Sequence, residues 1–96
     1  MAIVLRTIKE YDTNGNLVHY KNVTGIEFWK EYDENNRLSL CKYSNGFTEY
    51  YEYDGDGNLI HYKDSDGFEY YYIYNSLGDR ICYVDSDGFK YNYQYM

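Results

Sequence analysis

The chain has 96 residues and a mass of 11.6 kDa, which is the size of one small domain. Sixteen Tyr, four Phe and one Trp make its apolar fraction unusually aromatic. Sixteen Asp and Glu against nine Lys and Arg give a net charge of −7, which opposes attraction to the nucleic-acid backbone. We therefore expect no direct binding of DNA or RNA.

The longest apolar run, residues 2–5, is far shorter than a membrane span or the core of a signal peptide. The sequence therefore predicts a soluble, cytoplasmic protein without a membrane partner.

The sequence repeats itself every 21 residues. The period is marked by Tyr11, Tyr32, Tyr53, Tyr74 and Tyr95, and the residues between them align without a gap. A half-unit at residues 1–10 precedes four complete units at 11–31, 32–52, 53–73 and 74–94. We therefore predict a single repeat domain over residues 1–96.

Each unit contains two turn signals. The first is Tyr-Asp-x-x-Gly, in which the Asp accepts hydrogen bonds from its own turn and the Gly supplies a positive φ. In the second unit Asn36 stands at the Gly position, and Asn is the residue that best tolerates this conformation after Gly. The second signal ends in Gly, mostly after Asn or Asp, which is typical of a short hairpin. The predicted turns lie near residues 12–16, 22–25, 33–36, 43–46, 54–57, 64–67, 75–78 and 85–88.

The runs between these turns are rich in aromatic and β-branched residues, and the chain has no Pro, so they are predicted to be strands. Nine strands joined by tight turns predict an all-β fold, an up-and-down antiparallel meander. Alternation collects Phe and Tyr on one face of the longer strands, as at Phe68, Tyr70 and Tyr72. We call this the aromatic face and expect it to be covered by curling of the sheet, by folding into two layers or in a homodimer, of which the homodimer is favoured.

The motif Tyr-Asp-x-x-Gly-Asn-Leu at residues 11–17 and 53–59 is followed by a Gly and an aromatic strand within each unit. This arrangement resembles the tyrosine–aspartate (YD) repeats of rearrangement-hotspot and teneurin proteins, over almost the whole chain. In that family the repeats form a long antiparallel ribbon that spirals into a shell. The resemblance implies a structural or ligand-binding repeat module that contacts protein or carbohydrate.

Metal binding and catalysis have weak support. The Asp-rich turns at 54–58, 64–67 and 85–88 match fragments of calcium loops, but the bidentate Glu of such a loop does not follow, so a turn-forming role is favoured. His19 and His61 occupy one repeat position, where the second unit has Leu40, which favours core or partly covered residues over ligands. The sequence predicts no enzyme, no cofactor and no metal site.

The two cysteines are too few for a disulfide framework. Cys41 and Cys82 also occupy different positions in the repeat. Both are therefore predicted to be free thiols.

The remaining signal is an acidic, tyrosine-rich exterior. Carboxylates interleaved with Tyr can imitate nucleic acid and fill a basic groove, whereas ordinary solubility charge is the simpler interpretation. In size and charge the chain is also similar to small acidic phage proteins that inhibit CRISPR nucleases or other defence enzymes. One hypothesis is therefore a non-enzymatic inhibitor, phage-encoded and active in the host cytoplasm, whose partner is a nuclease or another nucleic-acid-handling complex. The predicted partner-binding residues are Glu49, Tyr50, Glu52, Asp54, Asp56, Asp64, Asp66, Glu69 and Tyr71.

Overall fold

A computed structural model describes residues 6–93, which form nine strands and no helix. The strands are β1 (Ile8–Tyr11), β2 (Leu17–Lys21), β3 (Glu27–Tyr32), β4 (Leu38–Tyr43), β5 (Thr48–Tyr53), β6 (Leu59–Asp64), β7 (Glu69–Tyr74), β8 (Arg80–Asp85) and β9 (Lys90–Asn92). They are arranged in chain order, and every described pair of neighbours is antiparallel. The predicted all-β, up-and-down meander is confirmed. Residues 1–5 of the half-unit and Tyr95 lie outside the described residues.

Nothing in the described part of the chain is a helix long and apolar enough to cross a membrane.

The turns between the strands share one geometry. In the first, the Asp12 N–H donates to the Asn16 carbonyl (2.9 Å) and the Gly15 N–H donates to the Asp12 carbonyl (3.1 Å). The Asp12 carboxylate accepts the N–H groups of Asn14 and Asn16, so the side chain closes its own turn as predicted. The same two backbone bonds close the turns at 12–16, 22–26, 33–37, 43–47, 54–58, 64–68, 75–79 and 85–89.

The fourth residue of each turn has a positive φ. It is Gly in seven turns and Asn36, with φ 63°, in the remaining one, which confirms the prediction for that residue. Within residues 6–93, the residue immediately before each of these positions does not have a positive φ. A two-residue turn of the Asn-Gly kind needs two such residues, so the hairpins have three-residue loops instead.

A β-bulge follows each turn of the Tyr-Asp type. In the third repeat Tyr53 lies opposite Leu59, whereas Glu52 lies opposite His61, so Ile60 is an extra residue in β6. Register shifts recur at the matching positions of β1, β3 and β7.

The chain divides into two compact units, Met1–Thr48 and Glu49–Met96. In the first unit the described pairs are β1–β2, β2–β3 and β3–β4. In the second they are β5–β6, β6–β7, β7–β8 and β8–β9.

The aromatic face of each unit is a row of contacting rings. In the first unit Tyr20 stacks on Phe28 with ring centroids 4.9 Å apart. In the second unit Tyr62 stacks on Tyr70 at the same separation, and Tyr70 meets Tyr72 edge to face at 5.2 Å. These rings are half-buried for the most part, so aromatic contact rather than a deep aliphatic core stabilises each unit.

Few side chains are fully covered. Among the described apolar residues, only Cys41, Tyr62 and Cys82 are buried, and both cysteines are free thiols.

The Tyr of the Tyr-Asp signal links neighbouring strands through its hydroxyl. Tyr32 donates to the Leu17 carbonyl (2.7 Å), and Tyr74 donates to the Leu59 carbonyl (2.8 Å). Phe has no hydroxyl, so this bond explains why the position is Tyr in both repeats.

Candidate functional site

The face opposite the aromatic face carries charged groups among exposed aromatic rings, and we call it the mixed face. In the second unit, Glu52 on β5 lies opposite His61 on β6, and His61 lies opposite Tyr71 on β7. The adjacent row pairs Tyr50 with Lys63. The bulge at Ile60 sets this register, since a regular ladder from Tyr53 and Leu59 would place Glu52 opposite Ile60.

His61 is held between two carboxylates. Its Nδ1 lies 2.9 Å from Glu52 Oε1, and its Nε2 lies 2.8 Å from Glu69 Oε1. Tyr71 donates its hydroxyl to the same Glu69 oxygen. Only the protonated imidazolium can donate from both ring nitrogens at once, so the arrangement favours a positively charged His61. We call Glu52, His61 and Glu69 the second clamp.

The same arrangement occurs in the first unit. His19 Nδ1 lies 2.5 Å from Glu10 Oε1, and Nε2 lies 2.8 Å from Glu27 Oε2. The ring stacks on Trp29, with planes 7° apart and centroids separated by 5.3 Å. We call Glu10, His19 and Glu27 the first clamp.

The clamps raise the pKa of both histidines above the ordinary 6.5. For His19 the cause is the hydrogen bond to Glu10, followed by the bond to Glu27. For His61, desolvation lowers the pKa, but the bonds to Glu52 and Glu69 together outweigh it. The hydrogen bond from Tyr71 and then the bond from His61 hold the pKa of Glu69 below its ordinary 4.5. Both clamps thus favour the charged form of their histidine, and the second clamp also favours the ionised form of Glu69.

The clamps do not form a metal site. Among residues 6–93, no group of three or more His, Cys, Asp or Glu side chains is placed to hold a metal ion.

His19 and His61, predicted to be core or partly covered residues, are partly covered, with side-chain exposures of 19% and 18%. The clamps themselves were not predicted. Each His has a Glu nine residues before it and another eight residues after it. At the matching position of the fourth repeat, Cys82 has Ile73 and Lys90 at those distances. A His with one Glu nine residues before it and another eight residues after it was therefore the sequence pattern from which the clamps could have been predicted.

The structure distributes the nine predicted partner-binding residues over three places. Tyr50, Glu52, Glu69 and Tyr71 lie on the mixed face. Glu49 and Asp64 lie on the aromatic face, where both accept the Tyr62 hydroxyl, at 2.8 and 3.1 Å. The remaining three, Asp54, Asp56 and Asp66, lie in turns.

Those turns are at opposite ends of β6. The Asp54 carboxylate accepts the N–H of Asp56 in one turn, and the Asp64 carboxylate accepts the N–H of Asp66 in the other. A six-residue strand separates its two ends by about 17 Å. The predicted set is therefore not one patch. The structure brings its four mixed-face members together, brings Glu49 and Asp64 together at Tyr62, and places Asp54 beside Glu52 and Tyr71.

A groove of about 680 Å³ lies in the second unit. Its apolar lining includes Ile60, Tyr71, Ile73 and Val84, and its carboxylates are Glu52 and Asp54. No Lys or Arg of the described chain lines it. The bond from the Tyr74 hydroxyl to the Leu59 carbonyl fixes the backbone next to Ile60.

This region combines exposed rings, ordered carboxylates and an apolar groove. No protein-family model matches the chain, and no match is found among curated proteins. The resemblances to YD repeats and to phage inhibitors therefore remain proposals.

Proposed function

We propose that the protein is a non-enzymatic binding module that recognises another protein through the mixed face of the Glu49–Met96 unit. The observation that carries this proposal is the exposure of three large side chains on that face. Tyr50, Tyr71 and Ile73 are 45%, 46% and 50% exposed. Scattered exposed apolar residues are ordinary, but a group on one face of two strands that flank the charged strand β6 is typical of an interface.

The second clamp prepares Tyr71 for binding. Its hydroxyl bonds to Glu69 and its ring stacks on His61, so two contacts already restrict the side chain. A side chain ordered before binding loses less conformational entropy when a partner covers it.

The acidic-inhibitor hypothesis is a more specific form of this proposal. In it the partner is a nuclease or another nucleic-acid-handling complex with a basic groove. The net charge of −7 supports attraction to such a groove, as does the Glu52 side chain, which is 68% exposed. Glu49 and Asp64 bond to Tyr62 on the aromatic face, so the mimicry is assigned to Glu52 and to the turn residues Asp56 and Asp66.

The alternative is a YD-type repeat module whose partner is a structural protein or a carbohydrate. The exposed rings of Tyr50 and Tyr71 support it, because aromatic platforms stack on either kind of ligand.

The proposed face is tested by capture from a bacterial lysate with identification of the bound protein by mass spectrometry. The variant Ile73→Ser removes an exposed apolar side chain from the face. Leu77→Ser is the matched control, since Leu77 is 84% exposed in a turn. We expect capture to be lost with the first variant and retained with the second. Equal capture by both variants would show that the mixed face is not the binding surface.

A salt series separates the two forms of the proposal. Capture through acidic mimicry weakens as salt screens the charges, and it weakens in the double variant Asp56→Asn, Asp66→Asn. Capture that resists both changes, or that free sugars compete away, favours the YD-type module instead.

A homodimer is a separate proposal, supported by exposed rings at the β9 end of the aromatic face. Phe89 and Tyr91 are 57% and 50% exposed. Light scattering at micromolar concentration should then give twice the chain mass of 11.6 kDa. A mass equal to that of one chain would exclude this dimer at the concentration used.

A further inference from the structure

We propose that the groove of the second unit binds an extended segment of a partner protein in which an apolar residue and an arginine are two positions apart. The apolar side chain lies on Ile73 and Val84, and the arginine lies at the end that carries Glu52 and Asp54. This inference rests on the proposed function and adds the chemistry of the partner.

The apolar floor is specific to the second unit. One repeat period is 21 residues, so the position of Ile73 is occupied by Glu31 two periods earlier, and that of Val84 by Lys42. The first unit therefore has a charged pair where the second has two aliphatic side chains. Because Ile73 is 50% exposed, the floor can receive an apolar side chain from outside the protein.

The carboxylate end of the groove is suited to a guanidinium. His61 bonds to Oε1 of Glu52, and the Glu52 side chain is 68% exposed, so this carboxylate can accept further hydrogen bonds. Asp54 adds a second negative charge, so among the described residues that line the groove two carboxylates stand against the single imidazolium of His61. Arginine combines a planar donor fork with weak hydration, which makes it the cation of choice at such a site.

An extended peptide presents alternate side chains to one surface, and an arginine side chain adds its own length to that spacing. Side chains two residues apart lie on the same side of a strand and are separated by about 7 Å. The groove volume of about 680 Å³ exceeds what one side chain needs, so it accommodates two side chains and the backbone between them.

The test uses the full chain and a short labelled peptide that contains Leu and Arg two positions apart. Fluorescence anisotropy at low salt should show saturable binding with a dissociation constant on the order of 100 µM. The variant Val84→Lys, which introduces the first-unit residue, should weaken binding about tenfold. Val23→Lys is the matched control, because it makes the same change of charge at an exposed turn residue of the first unit.

Two peptide variants test the chemistry of the ligand. Replacing the peptide arginine by citrulline keeps its shape and removes its charge, and we expect binding to weaken about tenfold. Replacing the peptide Leu by Ser should weaken binding by a similar factor. Circular dichroism confirms that each protein variant is folded; if Val84→Lys is not, Ile73→Ser with Leu77→Ser as control replaces the pair.

The inference is overturned if the peptide does not bind, if Val84→Lys and Val23→Lys weaken binding equally, or if the citrulline peptide binds as well as the original. If the peptide fails while capture from the lysate still depends on Ile73, the proposed function stands and only the arginine assignment is wrong. If the peptide does not bind and capture from the lysate does not depend on Ile73, the proposed function is wrong as well.

Discussion

The imidazole of His61 lies parallel to the phenol ring of Tyr71, with centroids 4.3 Å apart and planes 3° from parallel. The bonds to Glu52 and Glu69 hold the imidazole in this orientation, and Tyr71 also donates to Glu69. The exposed ring of Tyr71 is therefore in direct contact with the second clamp, and protonation of His61 affects both.

The clamps predict that stability is greatest at mildly acidic pH. The pKa values of His19 and His61 are raised, so their contribution is complete below the ordinary 6.5 and is lost as pH rises through the folded values. The pKa of Glu69 is lowered, so its contribution is present above 4.5 and is lost as pH falls through the folded value. Urea unfolding followed across this range should give a midpoint that is highest between those limits.

Leu provides the control for this prediction, because the second repeat has Leu40 at the position of the histidines. The double variant His19→Leu, His61→Leu removes both titrating rings. Its urea midpoint should change less between pH 6 and pH 8 than that of the unaltered protein. An equal fall in both proteins would assign the pH dependence to groups outside the clamps.

The hydroxyl of Tyr74 is predicted to stabilise the fold through its bond to the Leu59 carbonyl. Tyr74→Phe keeps the ring and removes this hydrogen bond together with the longer one that the hydroxyl accepts from Arg80 (3.4 Å), so unfolding should become easier by about 1 kcal/mol. Tyr50→Phe, at an exposed ring, should change stability by less than about 0.5 kcal/mol. If the two variants cost the same, the hydroxyl of Tyr74 is not a stabilising link.

The difference between Asn36 and His61 shows how far the sequence could predict this molecule. The conformation of Asn36 is a local property, because the position in the turn fixes φ and few residues tolerate a positive value. The partners of His61 depend on cross-strand register. Because of the bulge at Ile60, Glu52 lies opposite His61 and not opposite Ile60. Counting residues along a regular hairpin does not reveal this shift.

In contrast, the alternation of side chains along a strand was enough to predict that the acidic residues lie on different faces. Glu49 and Glu52 are three positions apart in one strand, so they must point to opposite faces. Their proximity in sequence suggested one cluster, but the strand period separates them. The placement of Tyr62 between Glu49 and Asp64 again required the register of β5 and β6.

The two glycines of the turn at residues 54–58 should respond differently to substitution. Gly57 has φ +89°, where a side chain strains the backbone, whereas Gly55 does not have a positive φ. A Cβ at Gly55 would meet no atom within 4 Å. Gly57→Ala should therefore destabilise the protein by about 1–2 kcal/mol, while Gly55→Ala should be neutral or stabilise it by up to about 1 kcal/mol.

Two further turn variants extend this prediction. Gly67→Val forces a β-branched residue to φ +90° and should cost about 1–3 kcal/mol. Asn36→Gly should be neutral or mildly stabilising, since Gly adopts the observed φ of 63° without strain. Thermal unfolding measures all four variants, and a destabilising Asn36→Gly would contradict the conformational argument.

The last prediction concerns ionisation of the tyrosines in alkali. Burial and then the hydrogen bond to Asp85 raise the pKa of Tyr83 to about 12. Burial and the bond to Glu49 raise the pKa of Tyr62 as well. A raised pKa means that the neutral phenol stabilises the fold below the ordinary value of 10, and that this contribution is lost as pH rises through the folded value. Ultraviolet absorbance should therefore show a set of tyrosines that ionises late and together with unfolding.

Asp85→Asn isolates the contribution of one carboxylate to this behaviour. The repeat already has Asn at the matching position 22, where its side chain accepts the N–H of Thr24 and of Ile26, so the turn geometry tolerates the change. The substitution removes the negative charge beside the Tyr83 hydroxyl, which lies 2.9 Å from Asp85 Oδ2. The pKa of Tyr83 should then fall toward 10, and one tyrosine fewer should ionise late. An unchanged titration would mean that burial alone, and not the carboxylate, keeps Tyr83 neutral.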